Sequence, residues 1–354
     1  MPTQHNSAIY VGDQPEVDAD SVIMLRKAGA LILGKTRTTE FASTTEGPGT
    51  VNPHDNTRTP GGSSSGSAAA VADFQTPLAL GTQTAGSIVR PGSFNGIYGI
   101  KPTWNSVSRE GQKIYSLTFD TLGWYARSIE DLELLGSVFG LQDDSPPQAP
   151  ANGVKGLRIA FCKPMVWPKA GPGTQKAMQK GLELLKTAGA DVEEINLPSD
   201  FDKLPDWHTC VLYSEGRVAF RPEYQIAKDK LAKFLVGHVE NKHGYTRKDY
   251  LEAYDGMAAL RPEWDAIAEK YDVVVVPSVV DEAPVGQWTG DAVFNGWTTS
   301  LHMPVVNIPG FQGENGMPIG LTLAGPRYKD QALLAVAKAV GKVWEEEGGW
   351  RSNL

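Results

Sequence analysis

The stretch GTQTAGSIVRPG, Gly81–Gly92, ends an apolar run in glycines around a single serine, Ser87, and resumes with an arginine and a proline. A second stretch of similar make-up, PGGSSSGSAAA, lies upstream at Pro60–Ala70. Serine and glycine enrichment is common in flexible linkers. Between these two places, however, SAAAVADFQTPLALGTQT (residues 67–84) reads first as a helix and then as a strand, so the glycines are embedded in structure. Glycines just before a serine, at the end of an apolar strand, let a substrate approach closely and leave backbone N–H groups free to face an oxyanion. Acyl transfer has these requirements.

Outward from this region, helix-like and strand-like segments alternate. Asp20 or Ser21 is placed to cap a helix that runs to Lys27 and ends at Gly29, and ALILGKT (30–36) then reads as a buried strand entering a turn. In RSIEDLELLGSVFG, Ser128 and Asp131 have capping-box spacing, with Ile129, Leu132 and Phe139 on one face. LQDDSPPQAPANG (141–153) is polar and proline-rich and marks the boundary between a catalytic half, 1–141, and an appended half, 142–354, of a single domain. Beyond it LRIAF is strand-like, and TQKAMQKGLELLKTAGA is a helix with Ala177, Leu184, Leu185 and Ala188 inward. VVVVPS and PVVNIPG are short apolar runs of the kind buried on both faces of a sheet. The last helix carries Leu333, Val336, Ala337, Val340 and Trp344 on one stripe. This alternation predicts an α/β protein whose helices cover a mostly buried sheet.

The composition narrows the function. Among 354 residues, 41% are hydrophobic, and 33 Lys and Arg face 41 Asp and Glu with no block of like charge. A sizeable core is therefore expected, and neither nucleic acid nor a membrane surface is an expected partner. Cys162 and Cys210 lack metal-ligand or disulfide-framework spacing, and MPTQHNSAIY has no signal-segment character. These features point to the cytoplasm, with no metal. No stretch approaches the roughly 20 apolar residues of a membrane helix.

Two short motifs compete with the serine reading. GALILGKT, Gly29–Thr36, fits the phosphate-loop pattern, but a helix precedes its first glycine and its spacer is apolar, so Lys35 reads as a turn residue. GSSSG, Gly62–Gly66, fits the nucleophile-elbow pattern with Ser64 at its centre. The polar HDNTRTPG precedes it where an elbow needs a strand. Of the downstream histidines, His208 and His238 fall on predicted helices as surface or packed residues, and no triad is evident around them, His243 or His302.

The run PGGSSSGSAAAVADFQTPLALGTQTAGSIVRPGSFNGIYGIKPT, Pro60–Thr103, resembles the amidase signature family of amide hydrolases. The likeness continues through SREGQ, FDTLGWYARSIEDLELL and PIGLTLAGP to the last helix. The resemblance implies a central mixed sheet with helices on both faces and a Ser-Ser-Lys triad that needs no cofactor. By position Ser87 resembles the nucleophile and Ser63 the bridging serine that follows a cis peptide. The N–H groups of Thr84, Ala85, Gly86 and Ser87 match the oxyanion hole. Asp120, Thr121 and Trp297 match positions that line the substrate pocket, although a loop anchor (Asp120) and a core aromatic (Trp297) are at least equal readings. The implied reaction is hydrolysis of a small carboxylic amide through an acyl-enzyme.

The family lysine sits in a V-K-D-like segment shortly before the part that residues 1–36 resemble. Lys27, Lys35 and Lys101 match other family positions, so none carries over as the base. A positioned general base contributes a factor of about 10² to 10⁴ in rate. A weak or inactive hydrolase is therefore expected, or else a binding or accessory homologue. A second copy of the chain or a partner protein is expected to cover the sheet edge left open. Gln83, Ala85 and Arg90 depart from common family residues and mark a subgroup.

Overall fold

In a computed structural model that describes residues 1–354, eight strands form one sheet. They are β1 (Ala79–Gln83), β2 (Tyr98–Lys101), β3 (Thr121–Ala126), β4 (Arg158–Cys162), β5 (Asp191–Ile195), β6 (Val273–Pro277), β7 (Val305–Gln312) and β8 (Pro318–Ala324). Their order is β1-β3-β2-β7-β8-β6-β4-β5. The sheet is mixed: β4 runs parallel to β5 and β6, and every other neighbouring pair is antiparallel. The hairpin β7–β8 sits between β2 and β6, so the two sequence halves complete a single sheet.

Successive residues of a strand point to opposite faces. In β6, Val273 and Val275 enter one hydrophobic cluster while Val274 and Val276 enter another, and in β4 Ile159 and Phe161 part from Ala160 and Cys162 in the same way. Both faces of the central strands are therefore buried, which is why their sequences are apolar runs instead of alternating patterns.

The helices are α1 (Asp20–Lys27), α2 (Ser65–Ala72), α3 (Val89–Phe94), α4 (Ile129–Val138), α5 (Pro172–Thr187), α6 (Leu204–Ala219), α7 (Arg221–Ala227), α8 (Lys233–Val239), α9 (Arg247–Ala268), α10 (Val293–Ser300) and α11 (Asp330–Glu347). The first cluster takes side chains from α4, α5 and α11, and the second takes them from α6, α8, α9 and α10. The α11 stripe of Leu333, Val336, Ala337, Val340 and Trp344 is buried as its spacing requires. Ser128 caps α4 by accepting from Asp131 N–H at 3.2 Å. No helix is long and apolar enough to cross a membrane.

Two local expectations are corrected. ALILGKT forms no strand: residues 30–36 are irregular, with Leu31 82% and Leu33 65% exposed. Apolarity alone does not make a strand; a ladder partner must take its N–H and C=O groups, and β1, at the sheet edge, pairs only with β3. The N-cap of α1 is Ala19, with no side-chain cap, and Asp20 occupies the first turn.

Replacing Leu31 and Leu33 together by asparagine is expected to change the unfolding free energy by no more than about 0.5 kcal/mol per site, as for exposed positions. Leu323→Ala, fully buried in β8, is expected to cost about 2–5 kcal/mol. Urea titration monitored by circular dichroism compares them. A large loss for the asparagine pair would show that the segment is packed after all.

Candidate active site

The two glycine-flanked bends are tied to each other. Ser64 Oγ accepts from Thr82 N–H at 3.2 Å and lies 3.3 Å from Thr82 O, fastening the start of α2 to β1. The buried Arg90, at the start of α3, donates from Nη2 to Gly62 O at 2.7 Å. Gly61 lies at φ +82, and a Cβ there would come within 3.0 Å of Pro91 Cα, so glycine is required both for the conformation and for the approach. The Gly62–Ser63 peptide is cis. Ser64, bonded to the Thr82 backbone of β1, does not stand free at a strand end, which removes the nucleophile-elbow reading.

The loop Thr84–Ser87 is held from behind at every carbonyl. His208 Nε2 lies 3.0 Å from Thr84 O, Thr299 Oγ1 donates to Ala85 O at 2.8 Å, Arg90 N–H donates to Gly86 O at 2.9 Å, and Tyr125 Oη donates to Ser87 O at 3.0 Å. Burial pushes His208 down to about 4. It is therefore neutral at pH 7, and its single N–H sits on Nε2, where a carbonyl faces it. Gln83 closes the loop by accepting from Ile88 N–H (2.9 Å) and Val89 N–H (3.1 Å) while donating to Thr299 Oγ1 at 3.1 Å. By contrast, the N–H groups of Thr84, Ala85, Gly86 and Ser87 have no partner within the chain. Gly86 is packed so closely on Asn295 that a Cβ would collide with Asn295 Oδ1.

The side chains of Ser63 and Ser87 are both buried. Ser63 Oγ has no hydrogen-bond partner. The Lys101 amine is fully buried and spent on Pro102 O (2.9 Å) and Met303 O (2.6 Å). Lys35 bonds Pro2 O and Thr3 Oγ1, which also disposes of the phosphate-loop reading. Lys27 lies exposed at the end of α1.

Asp120 Oδ1 accepts from Thr84 Oγ1 at 2.6 Å, and Oδ2 accepts from the N–H groups of Tyr115 (2.7 Å) and Ser116 (3.2 Å). It anchors the loop from the side. Burial pushes this carboxyl up to about 6, against the opposing pull of those three donors. Thr121 is buried and its hydroxyl donates to Phe119 O. Trp297 is fully buried in the second core cluster, edge-on to Trp264 at 5.7 Å. The sequence carries no signal for the roles of His208, Thr299 and Tyr125. Nothing local in their sequence links them to residues 84–87, and His208 is 124 positions from Thr84.

Similarity to known proteins agrees with this arrangement. The family model described as Amidase matches residues 1–334. A glutamyl-tRNA(Gln) amidotransferase subunit from Acidothermus cellulolyticus is 32% identical, the match covering 99% of this chain and 79% of that protein. Peptide amidase from Stenotrophomonas maltophilia superposes with a TM-score of 0.78 at 27% identity, covering 99% of this chain and 80% of that one. A crystal structure of an amidase superposes with a TM-score of 0.84 at 28% identity, covering 97% and 81%.

Because the folded Asp120 carboxyl titrates above its unfolded value of 3.8, the native state holds the extra proton between about pH 4 and 6. Stability conferred by that proton is lost as pH rises through this window. Asp120→Asn removes the titration. The stability difference between variant and wild type is expected to move in favour of the variant by about 2 kcal/mol from pH 4 to 6.5. Urea unfolding across that range measures it; parallel profiles would mean that Asp120 titrates normally.

Proposed function

The chain belongs to the amidase family, and from that membership we propose a hydrolase of the C–N bond in a small carboxylic amide. Ser87 is the nucleophile, Ser63 relays its proton, and the N–H groups of Thr84, Ala85, Gly86 and Ser87 form the oxyanion hole. The run of four unpaired N–H groups ending at the serine carries this reading. Groups that donate to nothing in the folded chain are available to the negative oxygen that forms when an amide carbonyl is attacked.

Ser87 Oγ adds to the carbonyl carbon and its proton passes to Ser63, whose own proton goes to the leaving nitrogen. The C–N bond breaks, amine departs, and an ester joins the acyl group to Ser87. Water then adds to that ester, its proton returns along the same path to Ser87, and the acid is released. The sum is amide plus water to acid plus amine. No metal or organic group is needed for any step.

A second reading rests on Ser63 Oγ, which is buried and without a partner. With no amine engaging it, the relay has no base to draw on, and a positioned base contributes about 10² to 10⁴ in rate. On that reading the chain binds amides or acyl groups with little turnover.

A fluorophosphonate probe separates the two. The hydrolase reading predicts stoichiometric labelling of Ser87, seen by mass spectrometry and abolished in Ser87→Ala. Without a base on Ser63 the labelling rate should rise about tenfold per pH unit from pH 7 to 9, tracking hydroxide. A plateau within that range would reveal a titrating base after all. An unlabelled Ser87 throughout would leave only the binding reading.

A further inference from the structure

A cleft of about 490 Å³ opens on the face formed by the loop after β2, the middle of α9 and the turn before α11. None of its lining residues belongs to the loop 84–87 or to the bend carrying Ser63. Its charge is unlike that of the rest of the molecule. The chain carries a formal net charge of −8, yet Arg109, Arg261 and Arg327 line this cleft and no aspartate or glutamate does.

The three arginines differ in how they are neutralised. Arg327 is paired with Asp265 through Nε (2.9 Å) and Nη2 (2.6 Å). Arg109 meets only neutral acceptors, donating to Leu117 O (3.1 Å), Asp120 O (2.9 Å) and Asn105 Oδ1 (3.3 Å). Arg261 donates from Nε to Ser300 O at 3.2 Å, and its Nη2 is buried with no acceptor. Burial lowers Arg261 to about 10, so it remains a cation at neutral pH. Trp104 Nε1 is a second buried donor without a partner. The positive potential is also felt by His302, which burial and then Arg261 push down to about 2.

The cleft also has flat walls. The Trp104 and His302 rings stack at 4.4 Å, and the Arg109 guanidinium lies 5.2 Å from the centre of the Trp104 ring. Tyr254 and Tyr328 stand exposed at its rim. A buried guanidinium nitrogen without an acceptor is costly, and an acceptor-only group with two or three oxygens is the partner that its geometry suits.

We propose that this cleft binds a small organic anion, its carboxylate or phosphate group held by Arg261 and Arg109 and its planar or apolar body lying against Trp104 and the rim tyrosines. The site is separate from the serine centre, and occupancy is scored without turnover.

Isothermal titration of the full chain with inorganic phosphate and, separately, with benzoate tests it. At least one of the two is expected to bind and to weaken as salt is raised. Binding should fall about tenfold or more in Arg261→Gln and in Arg109→Gln, as expected for loss of a charge-assisted bond, and Arg261→Lys should lose less than Arg261→Gln. Far-UV circular dichroism and thermal unfolding check that each variant is folded, and Arg109→Gln serves should Arg261→Gln fail to fold. Phosphate binding alone assigns a phosphate ligand, and preference for benzoate a carboxylate on an aromatic body. Binding of neither by wild type at 10 mM, on the order of a millimolar-affinity limit, overturns the proposal, as does undiminished binding by both folded glutamine variants.

Discussion

Four carbonyls held from behind govern this molecule. A peptide unit is planar, so its C=O and N–H point in opposite directions. Fixing the carbonyls of Thr84, Ala85 and Gly86 aims the N–H groups of Ala85, Gly86 and Ser87 the other way. The partners come from α6 (His208), α10 (Thr299), α3 (Arg90) and β3 (Tyr125). Each such bond contributes only about 0.5–1.5 kcal/mol net. Collectively they fix a conformation in which four donors go unused, and an unpaired buried donor costs about 1–3 kcal/mol. The loop keeps its shape because α3, α6, α10 and β3 together impose it.

The same dependence explains the polar residues in the core. Asn307 of β7 donates to Ile97 O at 2.9 Å and accepts from Ser278 Oγ at 2.7 Å, and Ser278 also shares a 2.7 Å bond with Thr322 of β8. Asn295 of α10 donates to Ser278 O at 2.9 Å while its other amide atom abuts Gly86. Directional bonds fix the register of α10 and, with it, the Thr299 hydroxyl that holds Ala85.

Elements whose signal is local were legible in the sequence. VVVVP and PVVNIPG announce strands buried on both faces, Ser128 announces the start of α4, and the α11 stripe needs only its period. ALILGKT failed because its apolarity is a property of the segment, whereas being a strand is a property of a pair. The glycine and serine pattern drew attention to residues 60–66 and 81–92, but not to what braces them. His208 and Tyr125 look like ordinary core residues until the fold brings them to residues 84 and 87. Gln83 stood out only as a departure from a family habit; its three hydrogen bonds show it closing the loop.

One segment belongs to both sites. The carboxylate of Asp120 steadies Thr84, while the Asp120 carbonyl accepts from Arg109, a wall of the cationic cleft. Arg109 also favours the ionised form of Asp120, opposing the burial that raises it. Through its carboxylate and its carbonyl, Asp120 thus stands one hydrogen bond from the serine loop and one from a wall of the cleft.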